Sequence, residues 1–136
     1  MENEMKIIVC LEDNNGMMFN RRRVSSDAVV TRRILEIASG KKLWMSPYSS
    51  KLFAGENVCI AEDFLSRAQT GEYCFVEDAD IDGYTDCMEE IILFRWNRRY
   101  PSDRKFLLSL DEWKLVSTEE FAGKSHPLIT QEVYER

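Results

Sequence analysis

The sequence predicts an α/β protein with a mixed, mainly parallel sheet, flanked by short helices and finished by antiparallel strands. Three observations carry that prediction. Apolar runs of strand length recur at residues 6–11, 42–45, 57–61, 73–76 and 91–96. Segments with helical start and stop signals fall between several of them, the alternation expected of parallel crossover units. After Tyr100 those signals cease, and residues 106–110, 113–117 and 129–134 read as a β-rich finish.

Lys6-Ile7-Ile8-Val9-Cys10-Leu11 is nearly continuous in apolar residues, the pattern of a strand covered on both faces, so it belongs at the centre of the sheet. Glu12-Asp13-Asn14-Asn15-Gly16 is a turn signal, and Asn15-Gly16 ahead of Met17-Met18-Phe19 fits a tight hairpin or a looser loop. Arg21, Arg22 and Arg23 lead into a helix capped by Ser25 or Ser26. Val30, Ile34 and Ile37 then share one face, and Gly40 supplies the stop. Residues 42–45 make the second strand. Ser46-Pro47 opens a short helix, because proline is tolerated at the first helical position and serine caps it; Gly55 ends it. A third strand at 57–61 precedes a helical turn or two over 62–68 carrying Phe64 and Leu65. Gly71 breaks the chain before residues 73–76. The acidic stretch from Glu77 to Glu90 reads as a solvated helix with Ile81, Tyr84 or Thr85, and Met88 turned inward. Residues 118–127 read as a polar loop.

Length and composition bound the rest. A chain of 136 residues suits one domain with one core. Its 44% apolar, 31% charged and 11% aromatic residues are those of an ordinary globular protein rather than a disordered or fibrous one. No stretch has the apolar length of a membrane span, and the acidic Met1-Glu2-Asn3-Glu4 is the wrong chemistry for a signal peptide, so a cytoplasmic location without membrane contact is expected. With 24 acidic against 18 basic residues and a net charge of -6, nucleic acid is not an expected partner. Arg21, Arg22, Arg23, Arg32 and Arg33, with Arg95, Arg98, Arg99 and Arg104 around Trp96 and Tyr100, have the composition of a phosphate site. A solvated face balancing the acids accounts for them better. The four cysteines, Cys10, Cys59, Cys74 and Cys87, lack a C-x-x-C pair and are expected to be buried, reduced thiols.

The order of elements, together with three stretches, resembles dihydrofolate reductase. Ile7 to Asn20, IIVCLEDNNGMMFN, is similar to that family's first strand and mobile loop. KKLWMSPYSSKLF, residues 41–53, is similar to its second strand and following helix. Trp113-Lys114-Leu115-Val116-Ser117 with Val133-Tyr134-Glu135-Arg136 resembles its terminal hairpin. The resemblance implies the family's frame, and a frame does not fix a function. Asp27 matches the acid that holds the pterin ring and helps its protonation, although an acid in a first helical turn is also explained by the helix dipole. The aromatic expected four residues later is Thr31. Where the family has Gly-Arg-x-Thr for the nucleotide phosphates, this chain has Ser46-Pro47-Tyr48-Ser49, keeping a hydroxyl and losing the arginine. The Gly-Gly after the central strand falls on Glu77-Asp78. Two carboxylates there would repel a diphosphate by several kcal/mol, on a scale of about 4 kcal/mol at ~4 Å and an effective dielectric of about 20. Glu56 replaces the arginine for the folate tail. Neither NADPH nor folate turnover is expected.

Two other motifs need weighing. Asp78-Ala79-Asp80-Ile81-Asp82-Gly83 followed by Glu89 satisfies the calcium-loop pattern, with Asp78, Asp80, Asp82 and Glu89 as candidate ligands and calcium as the candidate ion. The flanking segments, however, read as strands rather than the two helices of an EF-hand. His126 is the only histidine, too few for the zinc site of a metallo-β-lactamase-type nuclease, so a looser association with chains labelled ribonuclease Z has no chemical support.

The expected pocket lies at the C-terminal ends of the central strands, between residues 14–20, Asp27 and residues 44–49. Asn15, Phe19, Trp44, Ser46 and Ser49 are its candidate ligand-binding residues, and Asp27 its candidate catalytic acid or base. The function expected is a non-catalytic or functionally divergent module for a small molecule or a partner protein. The alternative is an enzyme of altered chemistry using Asp27.

Overall fold

In the computed structural model, which describes residues 4–136, the apolar run near the N-terminus is β1 (Met5–Leu11). It is the middle strand of a seven-stranded sheet ordered β5 (Val58–Ile60), β4 (Leu43–Met45), β6 (Tyr73–Phe75), β1, β7 (Met88–Arg95), β10 (Ile129–Glu135) and β9 (Lys114–Phe121). β5 through β7 run parallel, while β10 pairs antiparallel with both β7 and β9. The acidic start Met1-Glu2-Asn3 lies outside the described residues. Among the described residues no helix is long and apolar enough to cross a membrane.

The continuous apolar pattern of β1 follows from its place. Ile7, Val9 and Leu11 join Phe64, Ile91 and Phe106 on one face of the sheet. Ile8 joins Val30, Ile34, Phe75 and Phe94 on the other. Each such side chain, fully buried, contributes about 1.5–3 kcal/mol, so β1 ties both cores together. The second core is closed by α1 (Ala28–Ile37), which buries Val30 and Ile34. The first is covered by α2 (Phe64–Arg67), a single turn burying Phe64 and Leu65, and by irregular chain carrying Ile81 and Phe106.

A second, three-stranded sheet sits beside the C-terminal end of β1, with β2 (Gly16–Phe19) between β3 (Arg22–Arg23) and β8 (Arg104–Lys105). Its tight hairpin is not at Asn15-Gly16 but at Asn20-Arg21, where φ is 52° and 64°, the two positive values that a two-residue primed turn requires. Asn15, at φ 63°, instead turns the looser loop that returns Gly16 O to the Glu12 N–H at 3.0 Å.

Several expected elements differ. The cap of α1 is Asp27, not Ser25 or Ser26: its backbone is extended (φ -153°, ψ 130°) and its carboxylate accepts the Val29 N–H. The Ser46-Pro47 helix is a single 3-10 turn, Ser49–Leu52, although Ser46 Oγ does accept the Ser49 N–H at 3.3 Å. The acidic stretch forms no helix beyond the turn Thr85–Cys87. Asp80 Oδ1 takes the Asp82 N–H at 2.9 Å and Gly83 adopts φ 89°, so local side-chain bonding and a left-handed residue compete with helix there. Residues 106–110 are not a strand, and β9 runs on to Phe121, taking up part of the expected polar loop. None of the four cysteines is in a disulfide, and only Cys74 is fully buried.

Candidate functional site

β1, β4 and β6 end on the same side of the sheet, and the chain leaving them bounds a cleft of about 750 Å³. Its floor is Met17, Met18, Ile81 and Phe106, all buried. Asp80, Asp82 and Asp103 line it together with Arg21, Arg104 and Lys105, and Tyr48 from the chain after β4 completes it. The volume is that of small-molecule sites, and the walls carry both signs of charge.

Beneath the cleft the end of β6 is pinned by a polar network. Arg23 donates to Glu77 twice, Nε to Oε2 at 2.8 Å and Nη2 to Oε1 at 3.0 Å. Ser49 Oγ donates to the same Oε1 at 2.8 Å, and Ser46 Oγ donates to Asp78 Oδ1 at 2.9 Å. The Arg23 guanidinium also lies over the Tyr48 ring, 4.5 Å from its centroid. Burial works against the charge on Arg23, but hydrogen bonding and attraction to Glu77 raise its pKa above the ordinary value. Glu77 is buried, and a two-point pair with arginine is the arrangement that makes a buried carboxylate tolerable.

The second cluster gathers around Asp27. Its carboxylate accepts from the backbone N–H groups of Val29 (2.9 Å), Lys124 (2.9 Å) and Ser125 (2.8 Å), and from the Ser125 hydroxyl at 3.0 Å. His126 Nδ1 lies 3.0 Å from Oδ2. Burial pushes the Asp27 pKa up, but the Lys124 N–H, the His126 ring and the N–H groups of Ser125 and Val29 outweigh it and hold the carboxyl well below its usual range. His126 is buried between Trp96, stacked at 4.6 Å, and Tyr100. An ionised Asp27 accepts at Oδ2, so the proton between the two groups sits on Nδ1 and the ring's other nitrogen, Nε2, is turned to the hydroxyls. Ser25 Oγ and the Tyr100 hydroxyl face that nitrogen at 3.0 and 3.1 Å.

The predicted site residues are thus divided. Ser46 and Ser49 lie under the cleft, bonded to Asp78 and Glu77. Trp44 is turned to the core and donates Nε1 to Glu72 at 2.9 Å. Phe19 is 47% exposed and belongs to a separate shallow depression with Arg22, Val24, Tyr100 and Pro101. Asn15 sits in its exposed turn, where its side-chain oxygen accepts from Arg95 at 3.3 Å. Asp27 faces the 122–127 loop and not the cleft, because that loop supplies the donors its charge needs.

The four carboxylates of the calcium pattern are not gathered at one place. Asp78 is held by Ser46, Asp80 by the Asp82 N–H, and Glu89 is a residue of β7, beside Glu4 and Lys6 in a different depression. Among the described residues no group of three or more His, Cys, Asp or Glu could hold a metal ion. The arginines are likewise dispersed: Arg33 pairs with Glu119, Arg95 with Glu132, and Trp96 is buried.

The pairings that the sequence did not flag are those of Arg23 with Glu77 and of His126 with Asp27 and Ser25. Glu77 carried a signal, since an acid directly after the apolar strand 73–76 enters the core and needs a cation. Nothing local announces His126 as the partner of Asp27.

No protein-family model matches the chain, and no curated protein matches it. Solved structures do. Dihydrofolate reductase from Enterococcus faecalis, complexed with NADP(H) and RAB-propyl, superposes with a TM-score of 0.68 over 98% of this chain and 96% of that one, at 9% sequence identity. At that identity the likeness is one of architecture. The central β1, the mainly parallel sheet and the antiparallel finish accordingly make this chain a divergent example of the dihydrofolate reductase fold.

Proposed function

We propose that the chain is a binding module on a reductase scaffold, and that the cleft over β1, β4 and β6 takes a small molecule with an apolar body and charges of both signs. The observation that carries this is the pairing of floor and walls. Met17, Met18, Ile81 and Phe106 offer apolar surface, while Asp80, Asp82 and Asp103 share the lining with Arg21, Arg104 and Lys105. Ligands of open α/β sheets enter at the carboxyl ends of the strands, which is where this cleft lies.

The same reading sets a dinucleotide aside. Glu77 and Asp78 occupy the turn where the family's paired glycines approach a pyrophosphate, and Glu77 already neutralises Arg23. A diphosphate would have to break that pair and approach two carboxylates. Calcium has no gathered ligands here and is not expected to bind.

A thermal-shift panel tests the proposal with zwitterionic aromatic and aliphatic compounds, NADPH, folates, nucleotides and calcium. Zwitterionic compounds should raise Tm in proportion to ln(1 + [L]/Kd). Ile81→Trp, which fills the floor, should remove that shift. A saturable NADPH shift of equal size, or zwitterion binding unaffected by Ile81→Trp, would sink the assignment.

A further inference from the structure

The cluster around Asp27 carries more than a helix cap requires. A cap needs one acceptor for the N–H groups of the first turn. Here the acceptor is joined to a buried imidazole, and the imidazole to a hydroxyl. Asp27 Oδ2 to His126 Nδ1 is 3.0 Å, and His126 Nε2 to Ser25 Oγ is 3.0 Å. We propose that Ser25, His126 and Asp27 form a serine nucleophile, general base and positioning carboxylate that cleave small carboxylic esters.

Such a site must meet three geometric conditions, and each is met by residues from separate elements. The nucleophile must lie within hydrogen-bond reach of the base, as Ser25 does just before α1. The base must be held in one tautomer by a carboxylate on its far nitrogen, as His126 is. The carboxylate must itself be anchored, and the N–H groups of Val29, Lys124 and Ser125 anchor Asp27 from α1 and the 122–127 loop. The Trp96 stack, with planes 26° apart, fixes the ring from its face. Asp27 touches no substrate in this scheme and is a positioning residue.

Access is from the outside of β2 and β3. Ser25 is only partly buried, and next to it, through Val24 and Tyr100, lies a depression of about 320 Å³ that also includes Phe19, Arg22 and Pro101. Its size and the apolar surface of Phe19, Val24, Tyr100 and Pro101 suit a short alkyl or aryl ester, with Asn20, Arg22 and Arg23 completing the lining. Tyr100 has a second part. Its hydroxyl lies 3.1 Å from Nε2 and 3.5 Å from Ser25 Oγ, so in the resting site it competes with Ser25 for one lone pair. Once the ring is protonated that competition ends, and the tyrosine O–H becomes a donor for the oxyanion.

The steps balance. Ser25 Oγ attacks the ester carbonyl as its proton passes to His126 Nε2. The carbon–alkoxy bond then breaks, and the leaving oxygen takes that proton from the imidazolium. Water next attacks the acyl-serine, giving one proton to His126, which returns it to Ser25 Oγ as the acid departs. The sum is ester plus water to acid plus alcohol.

The test uses the full chain with a fluorophosphonate probe and with p-nitrophenyl acetate. The expected result is one adduct, mapped by peptide mass spectrometry to Ser25. Ester turnover should fall about 10²-fold or more in Ser25→Ala, and a similar loss in His126→Gln reflects removal of the base. Asp27→Asn should lower kcat with little change in KM. If the buried His126 and Asp27 variants fail to fold, Ser25→Ala decides alone, because Ser25 lies outside both cores. A folded wild type that takes no label at Ser25 overturns the proposal. So does labelling or turnover unchanged in Ser25→Ala.

Discussion

Asp27 and His126 meet at 3.0 Å although ninety-nine positions separate them in the chain, and their contact closes the 122–127 loop over the start of α1. The carboxylate serves as cap, loop anchor and partner of the ring at once. Asp27→Asn replaces one charged acceptor oxygen by a donor that faces other donors. Stability at neutral pH should fall by about 2–4 kcal/mol, the range for a lost cap and lost charge-assisted bonds together. Urea denaturation measures this, and a change under 1 kcal/mol on the scale of a single neutral hydrogen bond would refute it.

The sign of the pH effect follows from the same contacts. The folded-state pKa of Asp27 lies below its ordinary value of 3.8, so the unfolded chain binds more protons as the solution is acidified. The stabilisation is present in full above that value and is lost as pH falls below it. Glu12 acts in the same direction. Burial raises its pKa, but the N–H groups of Asn14 and Gly16, the Ser102 hydroxyl and the Tyr100 N–H outweigh this and lower it. Wild-type Tm should therefore drop steeply below about pH 4, and Asp27→Asn should show the shallower slope. Equal slopes for the two proteins would show that Asp27 is not the titrating group.

Gly123 tests how tightly the loop is seated. A Cβ there would lie 2.5 Å from Asp27 Oδ2 and 2.7 Å from Ile129 Cδ1, both fixed by their own contacts. Gly123→Ala should cost about 1–3 kcal/mol through overpacking. It should also raise amide exchange at Lys124 and Ser125, whose N–H groups bond Asp27. Protection left intact at both amides would mean that the loop does not lean on Asp27.

The pair beneath the cleft predicts a gain rather than a loss. Arg23 is neutralised by Glu77, so Glu77→Gln removes the charge while leaving Arg23 and the hydroxyl of Ser49 in place. Breaking a fully buried pair costs about 3–5 kcal/mol, and this partly exposed one should cost less. In exchange, inorganic pyrophosphate should bind the variant and not the wild type, as read by calorimetry at low salt. If neither protein binds it, the carboxylate is not what excludes phosphate.

How much of this was legible in the sequence depended on range. β1 announced its central place because burial on both faces demands an unbroken apolar run, and the inward face of α1 followed from the spacing of Val30 and Ile34. Ser46 was legible as an acceptor for the Ser49 N–H, but the helix begins later than Ser46-Pro47 predicts, with Tyr48 at its N-cap, and its length was not legible: a Ser-Pro start specifies a first turn and nothing beyond it. The residues of the twelve-residue calcium pattern are dispersed for a tertiary reason, since Glu89 is committed to β7 and Asp78 to Ser46. The contact of His126 with Asp27 and Ser25 had no local signature at all. It exists only once β10 returns alongside β7 and carries the preceding loop back to α1.

Cys10 offers an internal reporter for the Arg23–Glu77 pair. Burial pushes its thiol well above the ordinary pKa, the Glu77 charge pushes it further, and Arg23 pulls it down. Glu77→Gln removes an anion and leaves the cation, so the thiolate fraction at Cys10 should rise and its alkylation by iodoacetamide should quicken. Destabilisation alone would also quicken it, by exposing every thiol more often. Cys74 separates the two causes. Its thiol is pushed up to about 12 by burial and then by Glu72, with no part played by Glu77, so its rate follows opening of the core. An electrostatic effect raises the Cys10 rate relative to Cys74, whereas loosening raises both together. A ratio unchanged between wild type and Glu77→Gln would therefore show that the Glu77 charge does not reach Cys10.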